Sequence, residues 1–106
     1  MKTTAWIIIA IGVVTAGGCL HEERSVNNPD PAVKIPAIKE AVAKNDRRVI
    51  PQLVKDLDND DSAIRFYSID ALHDLTHQDF GYCFFDDADH RKAAVEKWQK
   101  WLAAHP

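Results

Sequence analysis

The chain has 106 residues, 46% hydrophobic and 27% charged, which is enough for one small domain with a single core. Its formal net charge of −3 and its pI near 5.9 exclude the class of nucleic-acid-binding proteins that depend on a basic surface. Its two cysteines lie in very different surroundings, so they are considered separately.

The first twenty residues have the order of a secretory signal: Lys2, an apolar run over residues 5–14, then small residues up to Cys19. Residues 16–19, Ala-Gly-Gly-Cys, resemble a bacterial lipobox. That resemblance implies that residues 1–18 are a cleaved signal peptide and that Cys19 is lipidated, on sulfur by diacylglycerol and on its amine by a fatty acid such as palmitate. The alternative is an uncleaved membrane anchor, although the apolar run is short for a span of about 20 residues.

Localisation follows from the same resemblance. The protein is expected in a bacterial cell envelope, lipid-anchored to the outer membrane or to the periplasmic face of a membrane. Residues 19–30 are polar and include Asn27-Asn28-Pro29, which predicts a flexible tether without a core. Cleavage would remove Lys2 and leave a net charge of −4, so we expect membrane contact through the acyl chains alone.

The folded domain is predicted over residues 31–106. Apolar residues at helical spacing predict a first helix over residues 31–45, with Asp30 as its cap and Pro31 in its first turn. Residues 46–76 predict a helical hairpin, in which two apolar stripes flank the polar turn at residues 58–61. Asp46 is the expected cap of the first hairpin helix, and Asp60 or Asp61 that of the second.

The hairpin resembles a HEAT repeat. Val49-Ile50-Pro51-x-Leu53-Val54-x-x-Leu57 matches that family's first helix, and Asp61-x-x-Ile64-Arg65-x-x-Ser68-x-x-Ala71-Leu72 matches its second. The resemblance implies an all-α, HEAT-like solenoid fragment, in which Asp61 and Arg65 are structural residues. Tandem repeats of this kind present stacked faces to other proteins.

The remainder of the chain contains an aromatic loop and a last helix. Residues 78–90 contain Gly81 and four aromatic residues, which predicts a loop that folds back over the hairpin, or alternatively an exposed patch for a partner. Residues 90–104 predict a C-terminal capping helix, with Trp98 and Trp101 on its apolar face as structural residues and Asp87 as its cap. A partner-recognition helix with an exposed tryptophan is the alternative.

Motifs for chemistry are weak. His73 and His77 resemble the H-E-x-x-H metalloprotease motif, but Asp74 replaces the glutamate and no third ligand stands at the expected spacing. The chain lacks the companions of a kinase Asp-Phe-Gly triplet and the pattern of a calcium loop around Asp86. Cys83 has no basic neighbour to activate it, which favours a buried thiol.

These patterns predict a non-catalytic, membrane-anchored HEAT-like scaffold or adaptor that contacts an unidentified envelope protein. We expect no enzymatic activity, cofactor, metal or nucleic-acid partner. The candidate partner surface is a stripe turned away from the predicted core, formed by Phe66, Asp70, His73 and His77. The alternative function is a metal-binding envelope protein or metal-dependent enzyme that uses His73 and His77.

Overall fold

The computed structural model describes residues 25–106 and contains no strand within that range. Helix makes up 71% of it, which confirms the predicted all-α class. The predicted signal peptide and the predicted lipidation site, Cys19, lie outside the described residues.

Within residues 31–106, four α-helices follow one another: α1 (Pro31–Ala43), α2 (Ile50–Asp56), α3 (Ser62–Thr76) and α4 (Ala88–Ala104). A short 3-10 turn (Arg47–Val49) leads into α2. Pro51 lies in the first turn of α2, where a backbone N–H would have no partner within the helix, so the proline is tolerated there. The first helix ends two residues earlier than predicted, and the last begins two residues earlier.

Aspartate side chains cap the N-termini of three helices, as the sequence predicts. The side chains of Asp30, Asp61 and Asp87 accept backbone N–H bonds at the starts of α1, α3 and α4. Asp46 was predicted to cap the first hairpin helix, but it caps the 3-10 turn that precedes α2, and α2 itself has no side-chain cap. Each cap satisfies donors that have no partner within the helix and adds a negative charge at the positive end of the helix dipole.

Helix α3 is the centre of the packing, because it contacts both α1 and α2, while α4 contacts α2. The predicted hairpin is therefore present as two helices, α2 and α3, joined by the turn at residues 57–61 and packed on one another. The buried core draws on all four helices and on the loop before α4; its most buried members include Ile38, Leu53, Leu57, Leu72 and Trp98.

A buried ion pair joins α1 to α2. The Nζ atom of Lys34 lies 2.8 Å from Oδ2 of Asp56, and both side chains are almost completely inaccessible. Lys34 also donates to the carbonyl of Val26 at 2.6 Å, and Gln52 donates to the other carboxylate oxygen of Asp56 at 3.1 Å. The buried charges are therefore paired and hydrogen-bonded, as such groups must be.

The predicted tether is wrong for its last part. Residues 25–27 are helical, and Val26 is a fully buried member of the core. The polar composition of residues 21–30 concealed this, because one valine among nine other residues gives no periodic signal. The hydrogen bond from Lys34 to the Val26 carbonyl holds this short helix against α1.

Candidate functional site

The exposed face of α3 and the loop before α4 form one surface groove. Phe66, Asp70 and His73 are exposed on α3, as the sequence predicts, and residues of the loop before α4 lie next to them. The groove encloses about 360 Å³. We call it the aromatic groove, and it is lined by Phe66, Ile69, Asp70, His73, Asp79, Tyr82, Cys83, Phe84 and Phe85.

The first half of the loop is fixed to the core. Phe80 meets Trp98 edge to face, with ring centroids 4.9 Å apart. The hydroxyl of Tyr82 donates to the Leu57 carbonyl at 2.7 Å, in a buried position. Burial raises the pKa of Tyr82 to about 12, although the nearby guanidinium of Arg91 opposes that rise. This half of the loop therefore folds back over the hairpin, in agreement with the favoured prediction.

The second half of the loop faces outward. Phe85 is 74% exposed, and Phe66 on α3 is 39% exposed. Phe84 lies between them, with its ring 5.0 Å from that of Phe66 and 5.3 Å from that of Phe85, both edge to face. Three rings thus form a continuous surface cluster, so the alternative prediction, an exposed aromatic patch, describes this half of the same loop.

The charges of the aromatic groove are acidic. Asp70 and Asp79 line it, and no Lys or Arg is among its lining residues. Asp79 also accepts the backbone N–H of Gly81 at 2.8 Å, a turn in which Gly81 adopts a positive φ of 75°. Arg65 is buried, and its guanidinium donates to the backbone carbonyl of Phe84, one of the groove-lining residues.

Arg65 connects two loops, as its predicted structural role requires. Its Nη1 donates to the carbonyls of Asn59 (2.7 Å) and Asp60 (3.0 Å), and its Nε donates to the carbonyl of Phe84 (3.0 Å). Asp61 caps α3 with the same side chain that the resemblance assigned to a structural role. Arg65 therefore fixes the backbone of the aromatic loop at the residue where the exposed rings begin.

The structure separates His77 from the rest of the predicted stripe. Helix α3 ends at Thr76, and His77 adopts a left-handed conformation with a φ of 61°. His77 is the C-cap, and its N–H still donates to the His73 carbonyl at 2.8 Å, but the regular helical geometry expected of the H-E-x-x-H motif ends one residue before it. His77 does not line the aromatic groove, and residues 25–106 contain no group of three or more potential metal ligands.

The two tryptophans of α4 differ in exposure. Trp98 is fully buried and its indole N–H donates to the Asp79 carbonyl at 3.2 Å, so this residue anchors α4 to the core and to the loop before it. Trp101 is half-buried and stacks on His105, with ring centroids 4.3 Å apart. It lines a second groove of about 770 Å³ between the start of α2 and the end of α4.

The charged residues at that second groove already have partners. Arg47 donates to the Leu75 carbonyl, and Arg48 makes a two-bond contact with Asp46, at 2.9 and 2.8 Å. Hydrogen bonds from Arg48 lower the pKa of Asp46. These contacts hold the turn into α2, so we assign them a structural role.

Two further polar side chains, those of Cys83 and Ser68, are half-buried and fully buried, respectively. Cys83 is free and half-buried at the wall of the aromatic groove, so the prediction of a buried thiol is only half met. Ser68 lies fully buried on α3, and its hydroxyl has no hydrogen-bond partner. The HEAT resemblance implies a small residue at this position, because a small side chain lets the neighbouring helices approach closely.

No family model, curated protein or solved structure matches the chain. Within residues 25–106, none of the helices has both the length and the apolar character needed to cross a membrane.

Proposed function

We propose that this protein is a non-catalytic, lipid-anchored scaffold of a bacterial envelope, with a HEAT-like domain that binds another envelope protein through the aromatic groove. The observation that carries the proposal is the cluster of Phe66, Phe84 and Phe85, which is exposed on an otherwise well-packed small domain. Exposed aromatic clusters with a polar rim are typical of protein interfaces, where aromatic residues contribute most of the binding energy.

The support beneath the cluster favours a binding role. Arg65 holds the Phe84 carbonyl, while Tyr82 and Phe80 fix the preceding residues to the core. A surface held in this way loses little conformational entropy when a partner binds, and the smaller entropy loss favours affinity. The same rings would be free to collapse or disorder if they had no underlying anchors.

The HEAT-like and envelope parts of the proposal come from the sequence patterns. The α2–α3 pair carries the matching residues, including the Asp61 cap and the buried Arg65. The lipobox-like residues before Cys19 supply the expected anchor. A short helical domain outside the cytoplasm with an exposed apolar cluster is suited to contact another protein of the same compartment.

Site-specific crosslinking in intact cells tests the proposal. p-Benzoylphenylalanine in place of Phe85 keeps an aromatic ring in the cluster and should give a discrete adduct with one envelope protein after irradiation. The control places the same probe at Lys100, which is exposed on α4 and lines none of the grooves described here. Equal labelling from both positions, or no adduct from Phe85, would refute the proposed surface.

A further inference from the structure

We propose that the aromatic groove binds a basic segment of its partner, with a lysine or arginine side chain placed on the exposed rings between Asp70 and Asp79. This inference rests on the proposed function and adds the chemical class of the partner. It comes from the combination of aromatic rings and carboxylates that α3 and the loop both contribute to one groove.

The charge of the groove selects a cation. Asp70 is exposed on α3, and Asp79 is exposed at the opposite wall, in the loop. His73 is the one lining residue that can become positive, and the lining includes no lysine or arginine. Arg65 is buried and does not line the groove, and its guanidinium donates to three backbone carbonyls, so it is not available on the groove surface as a cation.

The rings reinforce the same preference. Aromatic faces attract ammonium and guanidinium groups, and Phe66 and Phe85 are both accessible. The chain already uses this interaction at the edge of the cluster, where Nζ of Lys39 lies 4.8 Å from the ring centroid of Tyr67. The Tyr67 ring is itself in edge contact with Phe66, at 5.1 Å. A partner cation on the neighbouring rings would repeat an arrangement that the protein makes internally.

The size and openness of the groove suit an extended side chain. A volume of about 360 Å³ accommodates the long apolar stem of an arginine or lysine against the rings, while the charged head reaches the carboxylates. An acidic segment would face two carboxylates without a compensating cation. A purely apolar segment would cover Asp70 and Asp79 and leave their charges without water, which costs free energy.

The test extends the crosslinking experiment with charge variants. Asp70→Asn and Asp79→Asn remove the carboxylate charges while keeping the size of the side chains, and an asparagine at position 79 can still accept the Gly81 N–H. Asp74→Asn is the matched control, because Asp74 is exposed on α3 but does not line the groove. Each exposed charge contact is worth up to ~1 kcal/mol, about fivefold in binding.

The expected result is a Phe85 adduct whose yield falls about fivefold in the Asp70→Asn, Asp79→Asn double variant and stays unchanged in Asp74→Asn. Mass spectrometry of the adduct should place the crosslink in a partner peptide rich in lysine or arginine. An undiminished adduct in the double variant, or a crosslink to an acidic or apolar peptide, would overturn this inference and leave the proposed scaffold intact. Absence of any adduct above the Lys100 control would overturn both.

Folding of the variants is checked separately, so that a loss of adduct has one meaning. All three aspartates are exposed, and far-UV circular dichroism and urea midpoints of the variants should match those of the wild-type protein. In addition, a synthetic peptide of alternating arginine and serine should bind the purified full-length protein more tightly than its glutamate–serine counterpart. The reverse order of affinities would contradict a cation-selective groove.

Discussion

Replacement of Asp56 by alanine should strongly destabilise the domain. The carboxylate of Asp56 lies 2.8 Å from Nζ of Lys34, and their side chains are only 6% and 2% exposed. Alanine would leave the Lys34 ammonium enclosed in the core with the Val26 carbonyl as its remaining partner. Gln52 would also lose its acceptor.

The size of the effect follows from the burial of both groups. Removal of one member of a buried ion pair costs ~3–5 kcal/mol, because the other charge is left without compensation. The free energy of unfolding of small domains is ~5–15 kcal/mol, so this loss is a large part of the total stability. The double variant Lys34→Met, Asp56→Leu should recover most of the lost stability, because apolar side chains of similar size fill the same volume without a buried charge.

Equilibrium urea unfolding, followed by far-UV circular dichroism, measures these differences. The internal control is Glu40→Ala, which removes an exposed pair with Lys44 at 3.4 Å, where both side chains are more than half exposed. That change should cost less than ~0.5 kcal/mol. If Asp56→Ala costs no more than Glu40→Ala, the Lys34–Asp56 pair is open to water and the reasoning fails.

Three further predictions concern pH and the membrane anchor. Because Tyr82 has a raised folded pKa of about 12 and an unfolded pKa near ~10, its contribution to the unfolding free energy is complete below pH 10 and should decline as pH rises from 10 to 12. Tyr82→Phe should remove that decline and cost ~1 kcal/mol at neutral pH through loss of the bond to Leu57, both measurable by urea unfolding. The Asp87 carboxylate, 2.7 Å from Nδ1 of His90, raises the pKa of that imidazole, so the pair stabilises the start of α4 while Asp87 is ionised and His90 is protonated, and its effect is lost as pH rises through the folded pKa of His90. An NMR titration should show a lower His90 pKa in Asp87→Asn; an unchanged value would contradict the pairing. Cys19→Ala should abolish a lipid-modified mature N-terminus in mass spectrometry, and an unmodified wild-type N-terminus would contradict the proposed anchor.

Local features of the fold could be predicted because they depend on neighbouring residues. Asp30, Asp61 and Asp87 cap helices through atoms two or three residues away, so the order of residues is sufficient to identify them. The apolar periods on either side of the turn at residues 58–61 likewise gave the two packed helices. Trp98 was expected in the core because it lies on the apolar face of α4.

Features that depend on distant contacts could not be predicted. Lys34 lies on the buried side of α1, but a lysine is normally assigned to solvent, and its partner is 22 residues further along the chain. Val26 gave no signal for a similar reason. The predicted hairpin ends at Thr76, as α3 does, but the left-handed backbone of His77 could not be predicted, because it occurs without glycine.

The candidate site was predicted in separate parts. Phe66, Asp70 and His73 were identified on a helix face, and the aromatic loop was recognised on its own. Only the three-dimensional structure shows that Phe84 joins them, through ring contacts to Phe66 and Phe85 on either side. The hydrogen bond from Arg65 to the Phe84 carbonyl, 19 residues away in sequence, helps to hold the loop beside α3 and has no local sequence signal.

The burial of Val26 has a consequence for where this protein can operate. If Cys19 carries the lipid, only six residue steps separate the bilayer surface from the folded helix that begins by Ser25, a reach of about 20 Å at full extension. With so short a connection, the domain would stay close to the membrane surface. A binding segment that meets it must therefore lie within a few nanometres of the same lipid surface, which favours juxtamembrane regions of resident proteins over freely diffusing ones.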